Sequence, residues 1–222
     1  MLAYLRSFRQ NPDDELLLPL NELFGASGPG YLEVLELGSG CGIVGIGFAQ
    51  LYHNCHVLLT DLPEAMEILD CNIAQARPAS GSKLSKATMN WDDGLPIAVA
   101  QGRYHLFLVS DCTYNSDSIP ALVKTLHALN QKSPWASIVV SMKFRHSSEN
   151  VFFDMMNDAG FQVTSEVRFP LPDRHRTAVG QELENVEIYI FRNTISLENI
   201  PSRSQNAHTS KQAEKTRKIP SS

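Results

Sequence analysis

Two short clusters in this chain carry residue types that chemistry needs. The first is Glu36-Leu37-Gly38-Ser39-Gly40-Cys41-Gly42. Glycines at alternate positions let a backbone turn sharply into a helix and come close to a ligand, and a helix N-terminus offers amide donors to it. The second cluster is Ser110-Asp111-Cys112-Thr113-Tyr114, with a carboxylate and a phenol three apart. A carboxylate can hold an ammonium group, and an aromatic face can wall one. Between the clusters stand Asp61, at the end of an apolar run, and Trp91. A carboxylate at such a strand end can accept both hydroxyls of a ribose. An indole there could cover an adenine.

The glycines alone leave two readings open. Gly40-Cys41-Gly42-Ile43-Val44-Gly45 fits a dinucleotide fingerprint, with Asp61 about twenty residues on. Glu36 and Gly38 separate the alternatives. A glutamate before the turn can accept a hydrogen bond from the α-amino group of a bound amino acid, directly or through water, whereas a pyrophosphate beside it would be repelled. Glu36, Gly38, Ser39, Gly40, Gly42, Asp61, Trp91 and Ser110 are the expected cofactor-binding set, with S-adenosylmethionine as the expected cofactor. Asp111 and Tyr114 are the expected catalytic pair, placed to receive a lysine ε-amine. Plainer roles stay open at each: a helix cap for Asp61, a core or rim position for Trp91, an Asx turn for Asp111 and local packing for Tyr114. No histidine can be tied to Cys112, which reads as a buried structural thiol. His53, Cys55 and His56 do not converge as ligands, and no metal is expected.

The elements that must position these residues alternate in type. Residues 33–37, 56–60, 86–91, 104–110 and 137–142 read as strands, and 161–167 with 186–191 as a closing pair. Ile43–Leu51 is apolar almost all round, as a helix buried against a sheet would be. Pro63 fits the first turn of a helix carrying Met66, Leu69 and Ile73. Ser118 and Pro120 open another, with Ile119, Leu122, Val123, Leu126 and Leu129 in one stripe. Val151, Phe152, Met155 and Met156 form a helical face that stops at Gly160. This order predicts an α/β fold with a doubly wound, mainly parallel sheet and a terminal antiparallel hairpin. Ligands in such sheets bind beyond the carboxyl ends of the strands, where strand order reverses. Gly38–Gly42, Asp61, Trp91 and Asp111–Tyr114 stand at or just past the ends of predicted strands, and so share one rim.

The chain has 222 residues, 43% of them hydrophobic, enough for one domain with a sizeable core. No apolar run is long enough to span a membrane, and no membrane partner is expected. Four cysteines without a C-x-x-C pair fit a reducing compartment, cytoplasmic and also nuclear. Residues 193–222 are polar, and carry five basic against two acidic side chains. That net +3 leaves −8 of the chain's −5 on residues 1–192, the expected domain. The tail reads as disordered. An acidic body argues against nucleic acid and suits a protein substrate presenting a lysine.

At this point the residues resemble a known group. VLELGSGCGIVGI, LLTDLPEAMEILDCNI, NWDDG and LFLVSDCTYNSDSIPALVKTL are similar to segments of the seven-β-strand protein-lysine methyltransferases of the methyltransferase-like family. The resemblance runs from about residue 30 to 160. It implies a seven-stranded Rossmann-like methyltransferase sheet and methyl transfer from S-adenosylmethionine to a protein lysine. It also implies that Gly38, Ser39 and Gly40 contact the methionine part, Asp61 the ribose, Trp91 the adenine side and Ser110 the pocket wall. Asp111 and Tyr114 match the family's D-x-x-Y, which places the target lysine. Family members usually carry an upstream strand or hairpin with an aromatic residue against the cofactor. Met1–Leu5 matches the helix that follows it.

Overall fold

The structure is a computed structural model that describes residues 1–3, 5, 6, 30–143, 150–170 and 185–194. Its elements follow one another as β1 (Leu32–Leu37), α1 (Ile43–Leu51), β2 (Cys55–Asp61), α2 (Met66–Gln75), β3 (Lys83–Thr88), α3 (Ile97–Ala100) and β4 (Leu106–Ser110), then α4 (Ile119–Lys132), β5 (Ser137–Met142), α5 (Asn150–Asp158), β6 (Phe161–Pro170) and β7 (Asn185–Asn193).

Alternation along the strands decides the layering. In β1, Leu35 and Leu37 face one core with Phe107, Val109, Ile138 and Val140, and α4 and α5 close it with Leu122, Leu126, Phe152 and Met156. Val34 faces the other way, into a core with Val57, Leu59, Leu106 and Leu108, covered by Phe48 and Ala49 of α1 and Leu69 of α2. The central strands are apolar on both faces because both are covered. Burying each such side chain contributes roughly 1.5–3 kcal/mol. Helix α1 lies tight on the sheet because it has a glycine where space runs out. A Cβ on Gly45 would overlap Leu59 and stand 2.5 Å from a Glu36 carboxylate oxygen. Residues 2, 3, 5 and 6 are helical, and Leu5 is buried beside α1, its carbonyl accepting the Tyr52 hydroxyl at 3.1 Å.

All seven strands form one sheet in the order β3-β2-β1-β4-β5-β7-β6. Strands β1 to β5 are parallel, whereas β7 runs antiparallel to both β5 and β6. The mainly parallel sheet with a terminal hairpin is thus as expected, and strand order reverses between β1 and β4. Several boundaries differ, with β6 running on to Pro170 and β7 to Asn193. Strand β3 covers Lys83–Thr88, not 86–91: it is an edge strand with alternating polar residues, which hides it from an apolar scan. Strand β4 begins at Leu106, two residues later than expected. The helix at Pro63 opens with a single 3-10 turn before α2. The four-residue α3 carries no periodic signal and was not anticipated.

Asn193 ends β7, its side-chain amide donating to Asn130 at 2.9 Å. The tail from 195 onward lies outside the described residues. Among the described residues no helix is long and apolar enough to cross a membrane.

Candidate functional site

The end of β1 runs straight into the glycine turn. Gly38, with φ of 64°, lies where a side chain could not fit: a Cβ would stand 2.6 Å from the Cys112 sulfur and 3.4 Å from the Trp91 ring. One glycine therefore brings together the ends of β1 and β4 and the segment after β3. Gly40 has the same left-handed backbone, but a Cβ there would meet nothing within 4 Å. That side of the turn is open to a ligand.

Asp61 closes the turn from the neighbouring strand. Its Oδ2 accepts the Gly40 amide at 2.6 Å and its Oδ1 the Leu62 amide at 2.7 Å. The capping role left open for Asp61 is not what the fold uses, since the 3-10 turn at 63–65 has no side-chain cap. Each oxygen still has a lone pair that can accept a hydroxyl. Ser39 ties the same corner from below: its hydroxyl accepts the Thr60 amide at 3.0 Å and lies 3.4 Å from the Glu36 carbonyl, to which the Thr60 hydroxyl donates at 2.6 Å.

Glu36 is 2% exposed, and its Oε2 accepts the Gly45 amide at 3.0 Å. Burial pushes its carboxyl up to about 8; the Gly45 amide and Ser39 pull back, while the nearby Asp61 charge pushes further. A carboxyl held neutral by desolvation ionises when a cation arrives beside it. The site can therefore accommodate a ligand ammonium without leaving an uncompensated buried charge when it is empty.

Beyond β4 the chain makes an unusual turn. Ser110 is half-buried, and Asp111 takes a positive φ of 53°, its amide donating to the Ser141 carbonyl at 2.8 Å. Such a conformation is uncommon outside glycine and best tolerated by Asp and Asn. It sets an exposed Asp111 on the rim while the next side chain, Cys112, turns inward. The Cys112 thiol lies 3.4 Å from the carbonyls of both Leu37 and Ser110. Burial pushes it up to about 12, and the charges of Glu36, Asp61 and Asp111 all push the same way. So it stays protonated, as a structural thiol. Through Cys112 the turn after β4 packs against the glycine turn after β1. Tyr114, three residues on, is 72% exposed.

Trp91 does not end a strand but opens a 3-10 turn, capped by the Asn90 carboxamide oxygen accepting the Asp92 amide at 3.1 Å. It is half-buried against the α4 face, where its carbonyl faces the Thr125 hydroxyl at 3.4 Å. Beside it the structure shows a hollow of about 590 Å³, lined by Leu62 and Glu64 after β2 and by Asn90, Asp93, Leu95 and Pro96 after β3. Sequence reasoning assigned none of these lining residues to the site. Their one signal is the turn-rich NWDDGLP stretch, which carries no chemistry of its own. The hollow opens next to Asp61 and is large enough for a planar heterocycle.

The residues weighed as a metal cluster go separate ways. His56 bridges Glu33 at 2.9 Å and Ser85 at 2.6 Å, while Cys55 is buried with its thiol toward Tyr52.

The chain is similar to known proteins. Residues 4–159 match the family described as lysine methyltransferase. The chain is 32% identical over 162 residues to EEF1A lysine methyltransferase 3 of Mus musculus, covering 72% of this chain and 60% of that protein. It is 31% identical over 141 residues to a UPF0665 family protein of Schizosaccharomyces pombe, covering 63% of this chain and 42% of that protein. The chain thus spans about half the length of these curated relatives. In fold it is similar to a SAM-dependent methyltransferase from Methanosarcina mazei, with a TM-score of 0.56 at 12% identity, covering 80% of this chain and 98% of that one.

Proposed function

The chain belongs to the lysine methyltransferase family, and we propose that it transfers a methyl group from S-adenosylmethionine to the ε-amine of a protein lysine. The observation that carries this reading is the convergence of strand ends where strand order reverses: Asp61 of β2 accepts the Gly40 amide, and Gly38 after β1 abuts Cys112, the residue next to Asp111. Bound there, S-adenosylmethionine supplies a methyl group already activated by its sulfonium charge.

The chain's own part is to bind, orient and exclude. Gly38, Ser39 and Gly40 border the methionine part, where the Gly40 side of the turn is open. Glu36 gives up its proton and balances the ammonium. Asp61 offers its remaining lone pairs to the ribose hydroxyls. Trp91 and the hollow beside it take the adenine, and Ser110 walls the pocket. Asp111 holds the incoming amine by hydrogen bonding, and Tyr114 lays its exposed ring along the lysine stem. A free lysine has a pKa of about 10.4, so the amine must shed a proton before it can attack. Asp111 and Tyr114 are open to water, which can carry that proton off.

The reading is tested by incubating the chain with methyl-labelled S-adenosylmethionine and a cell extract, then hydrolysing the proteins to amino acids. Label recovered as methyl-lysine supports it. Label in small molecules alone, or in another side chain, overturns it.

A further inference from the structure

The segments that crown β1 to β4 are residues 38–43, 61–67, 88–97 and 110–118. Together they contain seven carboxylates and no lysine, arginine or histidine. Asp61 and Asp111 belong to the site; Glu64, Glu67, Asp92, Asp93 and Asp117 do not touch its central turn in any contact described above, and all five are exposed. The opposite edge of the sheet has the reverse character, with Arg77, Lys83, Arg103 and Lys132 exposed on the segments that enter β3, β4 and β5. Among the described residues charge is thus uneven along the strand direction, negative beyond β1 to β4, with Lys143 a cation just past β5. Crowding like charges costs free energy in the isolated protein, and that cost is recovered when a positive partner arrives.

A second pattern coincides with the first. Each of the four crown segments exposes one large apolar side chain: Ile43 at 64%, Leu62 at 46%, Ile97 at 75% and Tyr114 at 72%. An interface core needs apolar anchors, and a charged rim steers and orients the encounter. Here anchors and charges alternate around one opening.

We infer that this rim docks a basic protein segment, in which the acceptor lysine is flanked by further cationic residues and by at least one apolar side chain. The inference rests on the methyltransferase reading for the identity of the acceptor, but the surface itself can be tested by binding alone. Long cationic side chains would reach the carboxylates through water-exposed contacts, so the preference should be strongest at low salt.

Two fluorescent peptides serve as probes. Each holds one lysine and two leucines, flanked by arginines in one and by glutamates in the other. Their affinities for the 222-residue chain are measured by anisotropy in the presence of S-adenosylhomocysteine, at about 50 mM and about 300 mM salt. The expected result is at least roughly tenfold tighter binding of the basic peptide at low salt, with the gap narrowing at high salt. Glu67→Lys/Asp92→Lys/Asp117→Lys should erase the preference without changing S-adenosylhomocysteine affinity, whereas Arg77→Glu/Arg103→Glu/Lys132→Glu on the far edge should preserve it. Equal binding of the two peptides, or a preference that survives the rim reversal, overturns the inference. If the reversed variant fails to fold, the peptide and salt comparisons on the unaltered chain decide alone. Methyl transfer is followed in the same samples. Selective binding without transfer would count against the methyltransferase reading and leave the docking surface standing; transfer to both peptides without selectivity would do the opposite.

Discussion

The Asp61 carboxylate receives the Gly40 amide at 2.6 Å, joining the end of β2 to the middle of the glycine turn. One side chain therefore shapes the turn that we propose holds the cofactor. Removing it should damage binding more than folding. Asp61→Ala is expected to weaken S-adenosylmethionine binding by about a hundredfold, the loss of two hydrogen bonds to a charged acceptor, at a stability cost of about 1–3 kcal/mol. Asp61→Asn, which keeps one acceptor oxygen, should fall between. Calorimetric titration of the three proteins checks the order; equal affinities would remove Asp61 from the site.

Glu36 makes stability depend on pH in a definite direction. Its folded pKa is raised from 4.5 to about 8 by burial. Between those values the folded chain retains a proton that the unfolded chain releases, so folding weakens as pH climbs from about 4.5 to about 8 and levels off above. Glu36→Gln keeps the acceptor for the Gly45 amide and cannot ionise. The variant should lack this slope and be more stable than the parent at pH 8, by an amount on the order of a few kcal/mol. Urea denaturation across that range measures it; parallel pH profiles would contradict the assignment.

Gly38 and Cys112 should show a partial rescue. Gly38→Ala places a Cβ 2.6 Å from the Cys112 sulfur and imposes a left-handed backbone on alanine. Overpacking of this kind costs about 1–3 kcal/mol, and the backbone strain adds about 1 kcal/mol. Cys112→Ala in the same chain removes the clash but not the strain. The double variant should recover part of the stability lost by Gly38→Ala, a coupling that a thermal-melt cycle of the four proteins would reveal. Strict additivity would mean that the two residues do not meet.

Much of this architecture could be read from the residues, because the central strands are apolar on both faces and the helices keep clean stripes. Leu35, Phe107 and Ile138 belong to runs that can only be buried, and Phe152 with Met156 to a face that must pack. What stayed hidden lacks periodicity. Lys83–Thr88 is an edge strand with polar residues at alternate positions, and Ile97–Ala100 is a single turn of helix. At the site, residue type and spacing singled out Glu36, Asp61 and Asp111 because each stands at or just past the end of a strand. Spacing could not disclose that Asp61 bonds to Gly40, nor that Glu36 faces Gly45 of α1, since both contacts depend on how neighbouring elements close over one another. The hollow between the segments after β2 and β3 is likewise made of ordinary turn residues, which become a pocket only by juxtaposition.

Asp111 carries the account's central claim, that the rim beyond β4 presents an amine to the donor methyl. The direct measurement is single-turnover transfer of labelled methyl to lysine by the parent chain and by Asp111→Ala, each saturated with S-adenosylmethionine. Transfer should fall by at least about a hundredfold in the variant while cofactor affinity stays within about twofold of the parent. Equal rates of lysine methylation by the two saturated proteins would contradict it.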